Sequence, residues 1–305
     1  GGGPPGKVAR MSRAGAVIAA CVAGIAGLPF VLLSFDPYFV DRLRPRFPAT
    51  IIQLRQYLEA GDPAKPLERS ILWAPERRKC EAEMLANAQH NCGGRCSIVF
   101  IGDSILDALR GRACYDSKVL APRFKRILDT ALPKEWRSII IAGGGDQTQH
   151  ALFHLERCLP ALKSPKLFFL LLGSNNLALQ GSMPPEAVIF GLRTVVKALQ
   201  SAHPGVPVVL NSILPRHNDQ ATWQKDFTKS FQAGIDRTNK LMAEAFRDAP
   251  GVIHVDCTGV FPRGVGKDAR ALLPDLIHPN VEGYKRWFHC LLPTLNRVLN
   301  GTAAW

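Results

Sequence analysis

Three residues of the types used in nucleophilic catalysis occur where the chain is expected to turn. Ser104 closes a Gly-Asp-Ser turn, and His278 follows Asp275 by three residues and is kept out of a helix by Pro279. A serine hydroxyl becomes a strong nucleophile when an imidazole takes its proton, and a carboxylate bonded to Nδ1 fixes the tautomer of that imidazole. Taken singly, each motif is equally compatible with the start of a helix.

Two further turns offer hydrogen-bond donors. Three consecutive glycines at 143–145 can expose backbone N–H groups to an anion, and the side-chain amide of Asn175 can donate to a developing oxyanion. A phosphate loop is the rival interpretation of the glycines. No Lys-Ser/Thr pair follows them, however, and their spacing matches neither the P-loop nor the dinucleotide fingerprint. A plain turn remains open for both segments.

Five short apolar runs and five longer amphipathic stretches alternate along the chain. Runs that are nearly continuous in Val, Ile, Leu and Phe are typical of parallel strands buried on both faces. The alternation predicts an α/β fold with a doubly wound, five-stranded parallel sheet. The predicted strands are 97–101, 138–142, 166–172, 207–211 and 252–256, and the predicted helices are 119–131, 148–162, 186–202, 223–247 and 281–299.

The predicted elements place the candidate residues at one edge of the sheet. Ser104 follows the first strand, Gly145 the second and Asn175 the third, while Asp275 and His278 follow the fifth strand and a loop. In doubly wound sheets the ligand lies outside the carboxyl ends of the strands. The ordered set is therefore far more specific than any of its members.

This ordered set of blocks resembles the SGNH (GDSL-like) hydrolases over residues 97–299, and within them the platelet-activating-factor acetylhydrolase subunit type. The resemblance implies a flavodoxin-like fold and a serine esterase in which Ser104 attacks, His278 is the general base and Asp275 orients it. It also implies an oxyanion hole formed by the N–H groups of Ser104 and Gly145 and the side chain of Asn175. No metal and no organic cofactor are implied. The matching stretches are 100–104, 144–150, 172–176, 214–216 and 275–284.

The expected reaction is hydrolysis of a short-chain ester, with acetyl as the leading acyl group, from a carbohydrate or a lipid. The competing hypothesis is a non-catalytic subunit that keeps the hydrolase fold within a membrane-associated assembly. We expect Asp103 and Asp146 to bond loop backbone and Arg216 to anchor a loop by a salt bridge. Five other histidines are expected at the surface or satisfied in the interior, namely His150, His154, His217, His254 and His289.

The N-terminal region differs from the rest of the chain. Residues 14–35 contain no charged side chain and are long enough to span a bilayer, so we expect residues 1–35 to be a membrane anchor or signal segment. A stalk or cap at 36–96, which is rich in Pro and Arg and contains cysteines, and a hydrolase domain at 97–300 follow. A membrane-anchored protein of the secretory lumen or cell surface is expected, with a mitochondrial or other organelle membrane as the alternative. A homodimer or a membrane-complex partner is open.

The net charge of +13 comes from scattered Lys and Arg, without a long basic block or aromatic-basic interleaving, so we expect no nucleic-acid partner.

The cysteines indicate an oxidising compartment only weakly. Cys80, Cys92 and Cys96 cluster before the first strand and could hold a disulfide. Buried free thiols are expected at Cys158 and also at Cys257 and Cys290, which lie in apolar periodic stretches.

Overall fold

A parallel sheet forms the centre of the molecule. The computed structural model describes residues 62–67, 74–90, 96–111, 125–178, 183–217 and 231–301. Within these ranges the strands pair in the order β2-β1-β3-β4-β5, and every pair is parallel. The predicted five-stranded, doubly wound α/β sheet is confirmed, and each strand end lies within one residue of its prediction. The strands are β1 Ile98–Gly102, β2 Ser138–Ala142, β3 Leu167–Leu171, β4 Val208–Asn211 and β5 Val252–Val255.

Helices cover both faces of the sheet because alternate strand residues point to opposite sides. Val99 and Ile101 belong to one buried cluster, whereas Ile98 and Phe100 belong to the other. Helices α1, α4, α6 and α7 contribute to the first cluster, and α2, α3, α8 and α9 to the second. In chain order the helices are α1 Ala74–His90, α2 Ser104–Asp107, α3 Lys125–Ala131, α4 Thr148–Cys158, α5 Ser174–Ala178, α6 Pro185–Ala202, α7 Phe231–Ala245, α8 Lys267–Leu272 and α9 Val281–Leu299.

Helix α1 lies in the region expected to be a stalk or cap, yet its inner face packs into the core. Cys80, Met84 and Ala88 are 8%, 1% and 2% exposed and share a buried cluster with Val99 and Ile101. Their four-residue spacing places them on one side of the helix, but the charged residues around them leave little amphipathic signal in the sequence. The core of the protein therefore includes residues that precede the first strand.

The predicted helices differ from the structure mainly at their ends. The predicted helix 148–162 ends at Cys158 and continues as a 3-10 turn over Leu159–Ala161, because Pro160 cannot donate an N–H to the helical ladder. The predicted helices 119–131 and 223–247 both begin outside the described residues.

A disulfide joins the end of the sheet to the last helix. Cys257 and Cys290 are bonded, with their Cα atoms 6.0 Å apart, so the prediction of free thiols there was wrong. The apolar periodicity placed each cysteine toward the core correctly but carried no information on which residues meet across it. Closing a loop with a sequence separation of 33 residues stabilises the folded state by about 3–4 kcal/mol in the chain-entropy model.

The remaining described cysteines divide between the two expected states. Cys158 is a free, buried thiol, as predicted. Cys80 and Cys96 each take part in a disulfide, whereas Cys92 of the same cluster lies outside the described residues.

The predicted membrane segment at 14–35 also lies outside the described residues, as do residues 36–61 of the predicted stalk. Among the helices that the structure describes, none is long and apolar enough to cross a bilayer. The anchor thus stays a prediction.

The carboxyl ends of the first three strands in the chain lie level with one another. Gly102 at the end of β1 pairs with Ala142 in β2 on one side and with Leu171 in β3 on the other. The chain passes from β1 to β2 on one side and from β3 to β4 on the other, so the connections after β1 and β3 leave in opposite directions and open a crevice at this edge. The loops that carry the predicted site residues begin there.

Candidate active site

The turn that carries Ser104 is shaped by close packing. A Cβ atom on Gly102 would lie 2.5 Å from Cδ1 of Leu106 and 2.7 Å from the Leu171 carbonyl oxygen, so no side chain fits at this position. Asp103 caps helix α2, with its Oδ1 accepting from the Ile105 N–H at 3.0 Å. Ser104 is therefore the first residue of α2, at the carboxyl edge of β1.

Two long-range hydrogen bonds hold this turn against the rest of the fold. The buried hydroxyl of Tyr284 in α9 donates to the Ile105 carbonyl at 2.7 Å. Arg110 donates to the Ala142 carbonyl at the end of β2 and pairs with the buried carboxylate of Asp107 at 3.2 Å. A nucleophile must be held by such supporting contacts if its geometry is to be precise.

The structure brings Ser104, His278 and Asp275 together in a continuous chain of hydrogen bonds. Oγ of Ser104 lies 2.8 Å from Nε2 of His278, and Nδ1 of His278 lies 2.6 Å from Oδ2 of Asp275. Because Asp275 accepts at Nδ1, Nε2 is left to take the serine proton. These are the contacts that the sequence predicted.

Asp275 is oriented by the backbone of its own loop. Its Oδ1 accepts from the N–H groups of Ile277 at 3.0 Å and His278 at 2.7 Å. Burial raises the pKa of Asp275, but the hydrogen bond and charge of His278, with the two backbone N–H donors, outweigh burial and bring it to about 2. The carboxylate is therefore ionised throughout the neutral pH range.

Leu276 holds this loop in an uncommon shape. Its φ is +64°, which costs a residue with a Cβ about 1–2 kcal/mol. The fully buried side chain and a hydrogen bond of 2.9 Å from the His217 N–H to the Leu276 carbonyl stabilise the conformation. Beyond the loop, Asn280 caps α9 by accepting from the Gly283 N–H at 2.9 Å.

The predicted oxyanion-hole residues come from three neighbouring loops. Gly145 has a φ of +75°, which explains the need for glycine in the loop after β2. Nδ2 of Asn175 donates to the Asp146 carbonyl at 3.1 Å and lies 3.5 Å from Oδ2 of Asp103. The Ser104 N–H belongs to the first turn of α2, where N–H groups have no helical acceptor.

Arg216 makes contacts that the sequence did not predict. Nη1 of Arg216 donates to Oδ1 of Asn175 at 3.2 Å and to Oγ of Ser174 at 3.3 Å. The salt bridge that we expected to anchor this loop stays a prediction. The position of Arg216 shortly after β4, at the same sheet edge as the other candidates, was the available signal.

Buried acids and histidines pack around the site. Burial raises the pKa of Asp103 to about 6, against the Ile105 N–H and the charges of His278 and Arg216. Oδ2 of Asp146 lies 3.1 Å from Nε2 of His154, and both side chains are buried.

The five other histidines lie where the sequence predicted, either satisfied in the interior or at the surface. His150 accepts from the Gln147 N–H, His154 pairs with Asp146, His217 accepts from the Gly264 N–H, His254 bonds Ser212, and His289 is exposed. No group of three or more His, Cys, Asp and Glu side chains in the described ranges is arranged to hold a metal ion.

A doubly wound sheet with a Ser-His-Asp chain at its switch point is an arrangement typical of serine hydrolases. Residues 100–286 match the model of the GDSL-like Lipase/Acylhydrolase family, and the chain belongs to this family. The family match makes this chain a serine ester hydrolase. The resemblance noted in the sequence is thereby confirmed.

Comparison with individual proteins extends this result. The platelet-activating factor acetylhydrolase IB subunits alpha1 of Rattus norvegicus and Mus musculus are each 25% identical to the chain over 167 residues. These matches cover 53% of this chain and 62% of the relatives, so the chain spans less than two thirds of their length.

Solved structures show the same fold. A GDSL-like lipase from Bacteroides thetaiotaomicron superposes with a TM-score of 0.55 at 19% identity, covering 74% of this chain and 98% of that one. A carbohydrate acetylesterase family member from Sinorhizobium meliloti gives 0.50 at 16% identity, covering 67% and 99%.

The Asp275–His278 pair makes the stability of the protein acid-sensitive. The folded-state pKa of about 2 lies below the ordinary 3.8, so the contribution of the ionised carboxylate is complete above pH of about 4 and is lost as pH falls through about 2. We expect Asp275→Asn to lower the free energy of unfolding by about 1 kcal/mol at pH 6 and by less near pH 2. The value at pH 6 is smaller than the pKa shift alone implies, because the Asp275 side chain is partly exposed and solvent screens its charge. Urea unfolding across this range measures the difference.

The double variant supplies the control for this prediction. In a His278→Ala background the pH-dependent part of the Asp275→Asn effect should shrink, since the His278 side chain is the main group lowering the pKa of Asp275. A difference that stays constant from pH 6 to pH 2 would contradict the assignment.

Proposed function

We propose that this serine ester hydrolase removes a short acyl group, acetyl foremost, from a carbohydrate or lipid ester by way of Ser104, His278 and Asp275. The observation that carries the proposal is the unbroken hydrogen-bond chain of 2.8 Å and 2.6 Å through both nitrogens of His278. Each atom in this chain has the partner that its role requires.

The reaction follows from this connectivity. Oγ of Ser104 attacks the ester carbonyl carbon while its proton passes to Nε2 of His278, giving a tetrahedral intermediate. The intermediate expels the alcohol, which receives that proton, and leaves the acyl group on Ser104. A water molecule then attacks the acyl carbon while His278 takes its proton. The bond between this carbon and Oγ breaks, the proton passes from His278 to Ser104, and the carboxylic acid departs. Asp275 stays ionised and stabilises the imidazolium formed in each half-reaction.

Three donors are suited to the oxyanion of the intermediate, namely the N–H groups of Ser104 and Gly145 and Nδ2 of Asn175. The 3.5 Å separation between Nδ2 of Asn175 and Oδ2 of Asp103 is at the limit of a hydrogen bond. One N–H of the amide is therefore only weakly engaged before substrate arrives. A single donor of this type contributes a factor of about 10²–10³ to kcat.

Support for the substrate class comes from two sources. The curated relatives carry the name acetylhydrolase, which points to an acetyl ester. The side chains of His278 and Asp275 are 33% and 52% exposed, so the alcohol portion of the ester need not be enclosed. An open site of this kind suits a bulky carbohydrate or lipid alcohol.

A fluorophosphonate probe tests the nucleophile. We expect the probe to label the wild-type chain and not Ser104→Ala, because only an activated serine attacks it, and hydrolysis of p-nitrophenyl acetate to fall by at least about 10³-fold in the variant. Labelling followed by peptide mass spectrometry identifies the modified residue.

Ser212→Ala is the matched control. Ser212 also bonds a histidine, with Oγ 2.9 Å from Nε2 of His254, but it is fully buried. This variant should retain labelling and turnover. A folded wild type that neither reacts with the probe nor hydrolyses the ester would instead favour the non-catalytic subunit.

The acyl preference needs its own measurement. We expect kcat/KM for p-nitrophenyl acetate to exceed that for p-nitrophenyl octanoate by about tenfold or more, since a site that fits an acetyl group would exclude the longer octanoyl chain by steric overlap. Equal or greater activity on the octanoyl ester would point to a long-chain lipase instead.

We also propose that the chain is anchored by residues 14–35, with its hydrolase domain in the secretory lumen or at the cell surface. The disulfide between Cys257 and Cys290 and the disulfide-bonded state of Cys80 and Cys96 support an oxidising compartment. The apolar stretch at 14–35 supports attachment to a membrane.

Fractionation of cells expressing the full chain tests this location. The chain should stay in the carbonate-washed membrane pellet, and residues 62–301 should resist protease in sealed microsomes until detergent is added. A variant lacking residues 14–35 should leave the pellet. Recovery with mitochondria, or digestion without detergent, would contradict the proposal.

A further inference from the structure

The side-chain amide of Asn175 has partners of opposite polarity at its two ends. Nδ2 donates to the Asp146 carbonyl at 3.1 Å and lies 3.5 Å from a carboxylate oxygen of Asp103. Oδ1 accepts from Nη1 of Arg216 at 3.2 Å. A guanidinium group can only donate, so a half-turn of the amide would set two donors against each other at Arg216. The same half-turn would place Oδ1 against a carbonyl and a carboxylate.

Arg216 is itself positioned by contacts that do not involve Asn175. Its backbone N–H donates to Oε1 of Gln232 in α7 at 3.1 Å. The following N–H, of His217, donates to the Leu276 carbonyl in the loop that carries the catalytic His-Asp pair. Nη1 also donates to the hydroxyl of Ser174 at 3.3 Å. The guanidinium therefore reaches Asn175 from a fixed backbone.

The charge of Arg216 also suits this place. Asp103 is buried beside the amide of Asn175, and an uncompensated carboxylate there would repel the negative charge of an oxyanion. Burial raises the pKa of Asp103, and the positive charge of Arg216 acts in the opposite direction. The positive charge of Arg216 thus offsets the negative charge of Asp103, which lies next to the Asn175 amide.

We propose that Arg216 is a positioning residue for the oxyanion hole, since its guanidinium holds Oδ1 of Asn175 and so presents Nδ2 to the oxyanion. The inference rests on the proposed function, because it assigns Asn175 to the transition state. A residue that merely anchored the segment after β4 would affect stability without depending on Asn175.

A double-mutant cycle separates these roles. Arg216→Met should lower kcat for p-nitrophenyl acetate about 10- to 100-fold with KM changed less than about threefold, because the lost interaction acts in the transition state. In an Asn175→Ala background the same substitution should change kcat less than about threefold, because its target is gone. Arg216→Lys, which keeps a donor and the charge, should lie between Arg216→Met and the wild type.

Arg286→Met is the matched control, since Arg286 is an exposed arginine in α9 that pairs only with Glu282 among the contacts the structure gives it. It should keep the wild-type kcat. Wild-type kcat in Arg216→Met would overturn the inference. A double variant whose loss of kcat equals the product of the two single-variant losses would also overturn it.

A second readout does not depend on turnover. The side-chain NH2 resonance of Asn175, identified by its absence in Asn175→Ala, should shift in Arg216→Met and return toward its wild-type position in Arg216→Lys. An unchanged resonance in Arg216→Met would overturn the inference even if the variant lost activity. If the wild type hydrolysed no ester, the proposed function would fail, while this resonance would still decide whether Arg216 orients the amide.

Discussion

Ser104 and His278 are 174 positions apart in the chain, and their side chains meet at 2.8 Å. A hydrogen bond of this length tolerates errors of only a few tenths of an ångström, so both loops must be placed by rigid elements. Helix α9 positions both the turn that carries Ser104 and the loop that carries His278. Tyr284 in this helix binds the turn of the nucleophile through the Ile105 carbonyl, and its Asn280 cap lies two residues after His278.

The same edge of the sheet buries several polar groups, and their charges have to balance locally. Asp103 and Asn175 are 2% and 8% exposed, and the guanidinium of Arg216 lies against Asn175. Each buried donor or acceptor left without a partner would cost about 1–3 kcal/mol. The network therefore stabilises the fold only while its members keep their orientations, and this requirement is also what an oxyanion hole needs. Stability and catalytic geometry have a common physical origin here.

The sequence predicted local features well and lateral contacts poorly. Continuous apolar runs identified the five strands of the described sheet, because a strand that is buried on both faces is apolar at nearly every position. The order of Ser104, Gly145, Asn175 and His278 then placed them together, since parallel strands end at one edge. The bond between Cys257 and Cys290 left no local signal, because it depends on which core-facing residues meet after folding.

The contacts of polar side chains were also poorly predicted. No residue pattern indicated that the guanidinium of Arg216 donates to an amide and a hydroxyl. Charge alone suggests a carboxylate partner, whereas these two contacts depend on the loop after β3, whose backbone geometry no residue pattern specifies. Helix α1 was missed for a related reason: its few apolar residues are set among charged ones, and its packing face became evident only against the sheet.

The Cys257–Cys290 bond has a consequence for the integrity of the site after damage. It closes a covalent ring from the end of β5 to α9, and Asp275 and His278 both lie inside this ring. The loop before α8, which also lies in the ring, is exposed, with Val265 53% exposed. Cleavage of the backbone there would leave the two fragments tethered, so that the general base could stay beside its nucleophile in a nicked chain.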